Sequence, residues 1–324
     1  MAMASALEET IATQPEQLER SLAIDLTAAV EKLSGAVRIW LVGTGTSQHA
    51  AELGAWMLQD AGRDARWRSS ATFARHGPEL GEADGVIVIS HSTESSFARA
   101  ARARAAAADA RLVSITGFGR GWAEAIETAP REMSETYTAS YTTALMVLAR
   151  LSIDLGESTF GPEQLAAIPQ RALAALGSAQ APEAPVPERA LVIAGAGPAA
   201  VTAREGAVKL REAARILSEG YEAENLLHGS AVPLDHRDAL LLLCPESDPD
   251  RLLALMGEAA RDAGVTVASL SEPGGLHPVL EQIPLTIRLQ CLAARAAELR
   301  AQDPDRVIVG SWAGTELWAA GAPD

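Results

Sequence analysis

Apolar residues follow two alternating patterns along the chain. Continuous apolar runs of strand length lie at residues 37–42 (VRIWLV), 86–89 (VIVI), 112–115 (LVSI), 240–243 (LLLL) and 265–270 (VTVASL). Such short runs predict strands buried on both faces. Between them apolar residues return every three or four positions. Leu7, Ile11, Leu18, Leu22, Leu26, Val30 and Leu33 predict helices over 5–34, broken at Pro15. The same spacing predicts helices over 144–155 and 254–263. Ala207, Val208, Leu210, Ala213, Ala214 and Leu217 predict a further helix that begins at Glu205 and ends at Gly220, before a loop carrying Glu224, Asn225 and His228. Strands alternating with helices through Gly-rich turns predict an α/β fold with parallel strands.

The pattern occurs twice. IWLVGTGTSQHAAELGA recurs as LVIAGAGPAAVTAREGA, with Gly43, Gly45, Gly54 and Ala55 matching Gly195, Gly197, Gly206 and Ala207 at one constant offset. A constant offset over four pairs predicts a duplicated α/β unit. The expected plan is N-terminal helices at 1–34, a first domain at 35–176, a linker at 177–189, a second domain at 190–300 and a tail at 301–324. The linker stretch, GSAQAPEAPVPER, is rich in Pro and Ala.

Candidate chemistry falls in two places. On the predicted helix, Lys209 and Glu212 are three apart and share a face, with His228 soon after. Taken alone, this is also the pattern of a solvated ion pair beside a surface histidine. The run 86–89 leads into Ser90-His91-Ser92-Thr93-Glu94-Ser95. Hydroxyls at a strand's carboxyl end, before a helix N-terminus, suit a dianionic phosphate; the bland alternative is a helix cap with extra serines. Gly43-Thr44-Gly45 has the look of a dinucleotide fingerprint, but its spacing is poor and no acid follows the next strand to hold a ribose.

The order of these residues resembles the signature of the SIS (sugar isomerase) family, in its double-SIS, aminosugar-phosphate branch. The stretch from Gly195 to Gly229 carries EGAxKLxExxxIxxExYxAxxLxHG without a gap, GTGTS is similar to the family's opening motif, and SHSTES is similar to its phosphate loop, usually SxSGET. The resemblance implies two tandem SIS domains, each a parallel sheet flanked by helices in three αβα layers. It implies that Glu212 moves a proton between the first two sugar carbons and that Lys209 lies in the sugar site. It implies that His228 helps open the ring from the neighbouring subunit of a homodimer. It puts phosphate or sugar contacts at Gly45, Thr46, Ser47, Ser90, His91, Ser92, Ser95 and Glu135. Four positions depart from the pattern: His91 stands where glutamine is common, Thr93 replaces the glycine, Glu135 stands where a valine backbone lines the site, and Ala139 stands where lysine is usual. The tail has DPDR at 303–306 but no lysine after Lys209; Trp312 lies near the slot of the family's tail lysine. An indole there stacks on a sugar, closes a lid or packs, but forms no Schiff base.

Composition narrows the choice. A net charge of −15 over 324 residues disfavours nucleic acid and anionic membranes as partners. It also means that a phosphate must be held by local donors. Cys244 and Cys291 lack metal-ligand spacing and read as core thiols of a cytoplasmic protein. No secretory leader, membrane span or glutamine-hydrolysing activity is expected, and nothing calls for a metal or organic cofactor. The expected substrate is a small phosphosugar, glucosamine 6-phosphate or its N-acetyl form. Once Glu212 has taken the C2 proton, isomerisation, deamination or dehydration can follow. A non-catalytic sugar-phosphate sensor, an Amadori-sugar deglycase and a nucleotide-dependent dehydrogenase are the competing readings.

Overall fold

A computed structural model describes residues 4–177, 186–245 and 248–322. Most of the linker expected at 177–189 lies outside the described residues. The chain divides into two compact units. One comprises Thr13–Met133, Ala139–Pro169 and Ile308–Asp324; the other comprises Met1–Ala12, Ser134–Thr138 and Gln170–Val307.

The first unit is built on a parallel sheet of β1 (Arg38–Gly43), β2 (Ala65–Ser69), β3 (Asp84–Ile89), β4 (Arg111–Gly117) and β5 (Ala125–Ala129), in the order β2-β1-β3-β4-β5. Alternate residues of the central strands serve opposite faces. Trp40, Val42, Val86 and Val88 pack with Phe73 of α4 (Ser70–His76) and with Ala98, Ala101 and Ala105 of α5 (Ser96–Ala107). On the other face, α3 (Thr46–Asp60) packs against β1 and α6 (Ala139–Leu155). β1 and β3 pair in parallel, so the carboxyl ends of both strands and the segments they feed share one edge of the sheet.

The second unit carries the parallel sheet β7-β6-β8-β9, formed by β6 (Ala190–Gly195), β7 (Leu217–Glu222), β8 (Ala239–Leu243) and β9 (Thr266–Leu270). Leu191, Ile193, Leu241 and Leu243 pack with α8 (Pro198–Ala214) and α11 (Gln282–Leu299). Val192, Ala194, Leu240 and Leu242 face the opposite way, against Ala223 of the one-turn α9 (Ala223–Asn225) and Leu253 and Met256 of α10 (Leu252–Asp262).

The sequence repeat has a conformational counterpart. Gly45 caps α3 at φ 57, ψ −129, and Gly197 caps α8 at φ 56, ψ −129. A left-handed φ of this kind is cheap only for glycine.

Several expectations are corrected. α1 (Ala6–Ser21) runs through Pro15, and the break before α2 (Thr27–Ser34) falls at 22–26. Proline costs one hydrogen bond. Buried Leu7, Ile11 and Leu18 on either side, and Asp305 accepting from the Ala6 and Leu7 amides at 2.9 and 2.8 Å, hold the helix across it. The helix bearing Lys209 stops at Ala214, not at Gly220, because Arg215 takes the left-handed cap and donates its amide to Leu210. The next element is a strand, β7, with Leu217 exposed rather than on an apolar helix face. Gly220 sits inside that strand because a Cβ there would run into the backbone of Ala203 and Arg204 in α8. Glu224 and Asn225 lie on α9 instead of a loop. The remaining helices are α7 (Pro162–Gly177) and, in the tail, a 3-10 turn (Gly310–Ala313) and α12 (Thr315–Ala319). Among the described residues no helix is long and apolar enough to cross a membrane. The thiols of Cys244 and Cys291 are both free and partly enclosed, and burial pushes Cys291 up to about 11.

Candidate active site

α8 places three charged side chains on one face. Its opposite face, Ala203, Ala207, Leu210, Ala213 and Ala214, is buried in the core of the second unit. Lys209 Nζ lies 2.6 Å from Glu212 Oε2 and 3.5 Å from Glu205 Oε1. Glu205 and Lys209 are completely buried, whereas Glu212 keeps 26% of its side chain accessible. The expectation that Lys209 and Glu212 share a face holds, but the solvated pair does not describe it. Glu205 is the member that spacing alone did not single out. It is the i−4 partner of Lys209, and only its complete burial distinguishes it from a surface carboxylate. Burial pushes the Glu212 carboxyl above the usual range, Lys209 opposes this through its charge and hydrogen bond, and the Glu205 charge adds to the rise. A carboxyl that is partly accessible, raised and fixed by a buried cation has the features of a general acid–base group.

His228 sits in the turn Leu226–Ser230, next to Gly229 at φ 108. Its side chain is 76% exposed, and Nε2 is 3.8 Å from Glu224 Oε1. It is thus displayed on the surface beside Glu224.

In the first unit, the hydroxyl cluster lies where the run 86–89 suggested, between β3 and α5. Ser90 is buried and its amide donates to the Ile115 carbonyl at 3.0 Å. Ser92 Oγ accepts from the Glu94 amide at 3.2 Å. Thr93, at the position where the resemblance has glycine, adopts φ 61. A left-handed backbone of this kind favours glycine, and Thr93 Oγ1 donates to the Ser92 carbonyl at 2.6 Å. Ser95 is the N-cap of α5 and makes no side-chain cap hydrogen bond. By contrast, the first turn of α10, after β8 in the second unit, is capped by Asp248, which accepts from the Leu252 and Ala254 amides at 3.1 and 3.3 Å. Of these two helix N-termini, that of α5 has no side-chain cap hydrogen bond from Ser95, and the neighbouring Glu94 is largely exposed.

His91 packs on the end of β4: its carbonyl accepts from the Gly117 amide at 3.0 Å, and a Cβ on Gly117 would lie 2.7 Å from its Cε1. Burial pushes its imidazole below the usual range; Glu132 opposes this and Arg120 adds to it. Gly45, Thr46 and Ser47 lie at the carboxyl end of β1, on the same sheet edge as Ser90.

Glu135 lies elsewhere. Its Oε2 accepts from the Val307 amide at 2.7 Å, and its own amide donates to the Asp305 carbonyl at 3.1 Å. The amide anchors the DPDR stretch of the tail and the carboxylate the residue that follows it. Trp312 is 74% exposed; its carbonyl accepts from Trp318 Nε1 at 2.6 Å, and the Trp318 carbonyl accepts from Ser96 Oγ at 2.7 Å. The tail after 308 therefore docks at the start of α5 through its backbone, with the Trp312 ring left outside.

Residues 32–149 match the family model of the SIS domain. Among curated relatives, the glutamine–fructose-6-phosphate aminotransferase (isomerizing) of Gloeobacter violaceus is 29% identical over 336 residues, covering 93% of this chain and 54% of the relative. The chain thus spans about half the length of the curated relatives it matches. Among solved structures, the C-terminal domain of glucosamine-fructose-6-phosphate aminotransferase from Francisella tularensis superposes with a TM-score of 0.82 at 19% identity, over 94% of this chain and 99% of that one. Glucosamine-6-phosphate deaminase from Thermotoga maritima gives 0.75 at 17% identity, over 94% and 97%. At these identities the structures establish a shared fold.

Proposed function

We propose that the chain is a double-SIS phosphosugar enzyme, its second unit being a SIS domain as well, with a 6-phosphorylated amino sugar as substrate. Ser90, Ser92 and Ser95 bind the phosphoryl group, with Gly45, Thr46 and Ser47 as further contacts. Glu212 moves the proton at C1 and C2 of the open-chain sugar. The observation that carries this reading is the Glu205–Lys209–Glu212 row. Burying a lysine and a glutamate completely is costly, and the row delivers one accessible carboxyl with a raised pKa. The uncapped N-terminus of α5 supports phosphate binding in the first unit, and the names of the relatives support an aminosugar phosphate.

Lys209 also bears on the outcome. Its Nζ is engaged by two carboxylates and enclosed, which leaves it no path to a sugar carbonyl. Lys32, the chain's other lysine, is exposed on α2. Schiff-base chemistry therefore has no support, and the reaction rests on proton transfer alone: reprotonation at C1, loss of the 2-amine, or loss of the 3-hydroxyl. Proton NMR in deuterated water with glucosamine 6-phosphate, and separately its N-acetyl form, tests this. Exchange of the C2 proton is expected, with a ketose, released ammonia or a new vinyl signal identifying the outcome. Binding of both sugars without exchange would replace the enzyme by a sugar-phosphate sensor.

His228 is assigned to proton movement at the ring oxygen across a homodimer interface, a role that its exposed position supports. Inactive His228→Ala and Glu212→Ala chains, mixed under conditions of subunit exchange, are expected to regain part of the activity. No recovery would assign each site to a single chain.

A further inference from the structure

The hydroxyl loop proposed to hold phosphate contains no cation of its own, and a net charge of −15 repels a dianion. A cation reaches the loop from the neighbouring strand. β3 and β4 are adjacent, and the Gly117 amide bonded to the His91 carbonyl ties the turn after β4 to the loop. Arg120 lies in that turn. Its side chain is only 17% exposed, and its Nε is buried without a hydrogen-bond partner among the described residues. Its ion-pair contact is Glu94 Oε1 in the loop itself, at 4.0 Å from Nη1, and that glutamate is 78% exposed. A distant contact to a largely solvated carboxylate does not offset enclosing a guanidinium with an unmade bond.

We infer that Arg120 is the phosphate-binding cation of this loop and that Glu94 competes with the phosphoryl group for it. The inference rests on the proposed phosphate site at Ser90, Ser92 and Ser95. A guanidinium presents a planar fork of donors that matches two phosphate oxygens, while serine hydroxyls and the first amides of α5 serve the remaining lone pairs. Arg120 lies thirty residues beyond Ser90 in the chain, and only the pairing of β3 with β4 brings the two turns together. The depressed pKa of His91 fits the arrangement: burial lowers it first, Arg120 adds to the fall and Glu132 opposes it, so His91 brings no competing cation to the loop.

Titration calorimetry with inorganic phosphate, glucosamine 6-phosphate and glucosamine tests the assignment. Arg120→Gln is expected to weaken both phosphorylated ligands by about tenfold to a hundredfold, with glucosamine unaffected. In turnover it raises KM and leaves kcat near its original value. Glu94→Gln removes the competitor and is expected to tighten both phosphorylated ligands. Unchanged phosphate affinity in Arg120→Gln, with Ser92→Ala weakening it, overturns the role of Arg120 and leaves the phosphate site standing. Failure of the unaltered protein to bind either phosphorylated ligand overturns the phosphate site and the inference together. Should Arg120→Gln not fold, the surface variant Glu94→Gln decides: equal or weaker phosphate affinity overturns the inference.

Discussion

Replacing Glu212 by glutamine is expected to leave phosphosugar binding intact and to lower turnover by about a hundredfold to ten-thousandfold, the usual contribution of a positioned acid–base group. Glutamine keeps the shape and the hydrogen bond to Lys209 but cannot take a proton. The check is C2 proton exchange in deuterated water alongside calorimetric binding of the same sugar. Normal exchange in the variant would remove Glu212 from the chemistry. The pH dependence carries a sign. Only the ionised carboxylate acts as base, and burial raises its pKa above the ordinary 4.5. The acid limb of kcat/KM should therefore lie above the usual carboxylate range, with activity lost as pH falls through it, and it should vanish in the glutamine variant.

Lys209→Met should have the largest effect on stability. Glu205 and Lys209 are both fully buried, so removing the cation leaves one enclosed carboxylate and one half-enclosed carboxylate without their counter-charge. Breaking a buried pair in this way costs about 3–5 kcal/mol, against at most about 1 kcal/mol for an exposed pair. Urea unfolding measures it. Adding Glu205→Gln to Lys209→Met should restore part of the loss, because the orphaned charge goes with it, and the cycle gives the coupling directly. A cost within the exposed-pair range would show that the row is solvated in solution.

Much of the fold could be read from apolar periodicity. The strands β1, β3, β4 and β8 are buried runs with no competing pattern, β9 was legible although only Leu270 of it is buried at the sheet edge, and paired glycines at a constant offset marked the recurrence of strand, turn and helix. β2, β5 and β7 escaped because sheet-edge strands such as ARWRS and LSEGYE carry charged and polar residues on their open side. The end of α8 escaped because Arg215, not a glycine, takes the left-handed cap, while Gly220 serves close packing of β7 on α8.

The same division holds for the candidate site. Local spacing was enough to put Lys209 beside Glu212 and the serines at the start of α5, since helix and strand-turn-helix geometry are set within a few residues. Sequence could not decide which of these charges lose their water. Desolvation depends on what packs around them, so the burial of Glu205, the raised pKa of Glu212 and the lowered pKa of His91 are tertiary facts. Nor could it bring Arg120 to Glu94, or turn Glu135 toward Val307. Those contacts exist because chain segments far apart in sequence are held as neighbours by the fold.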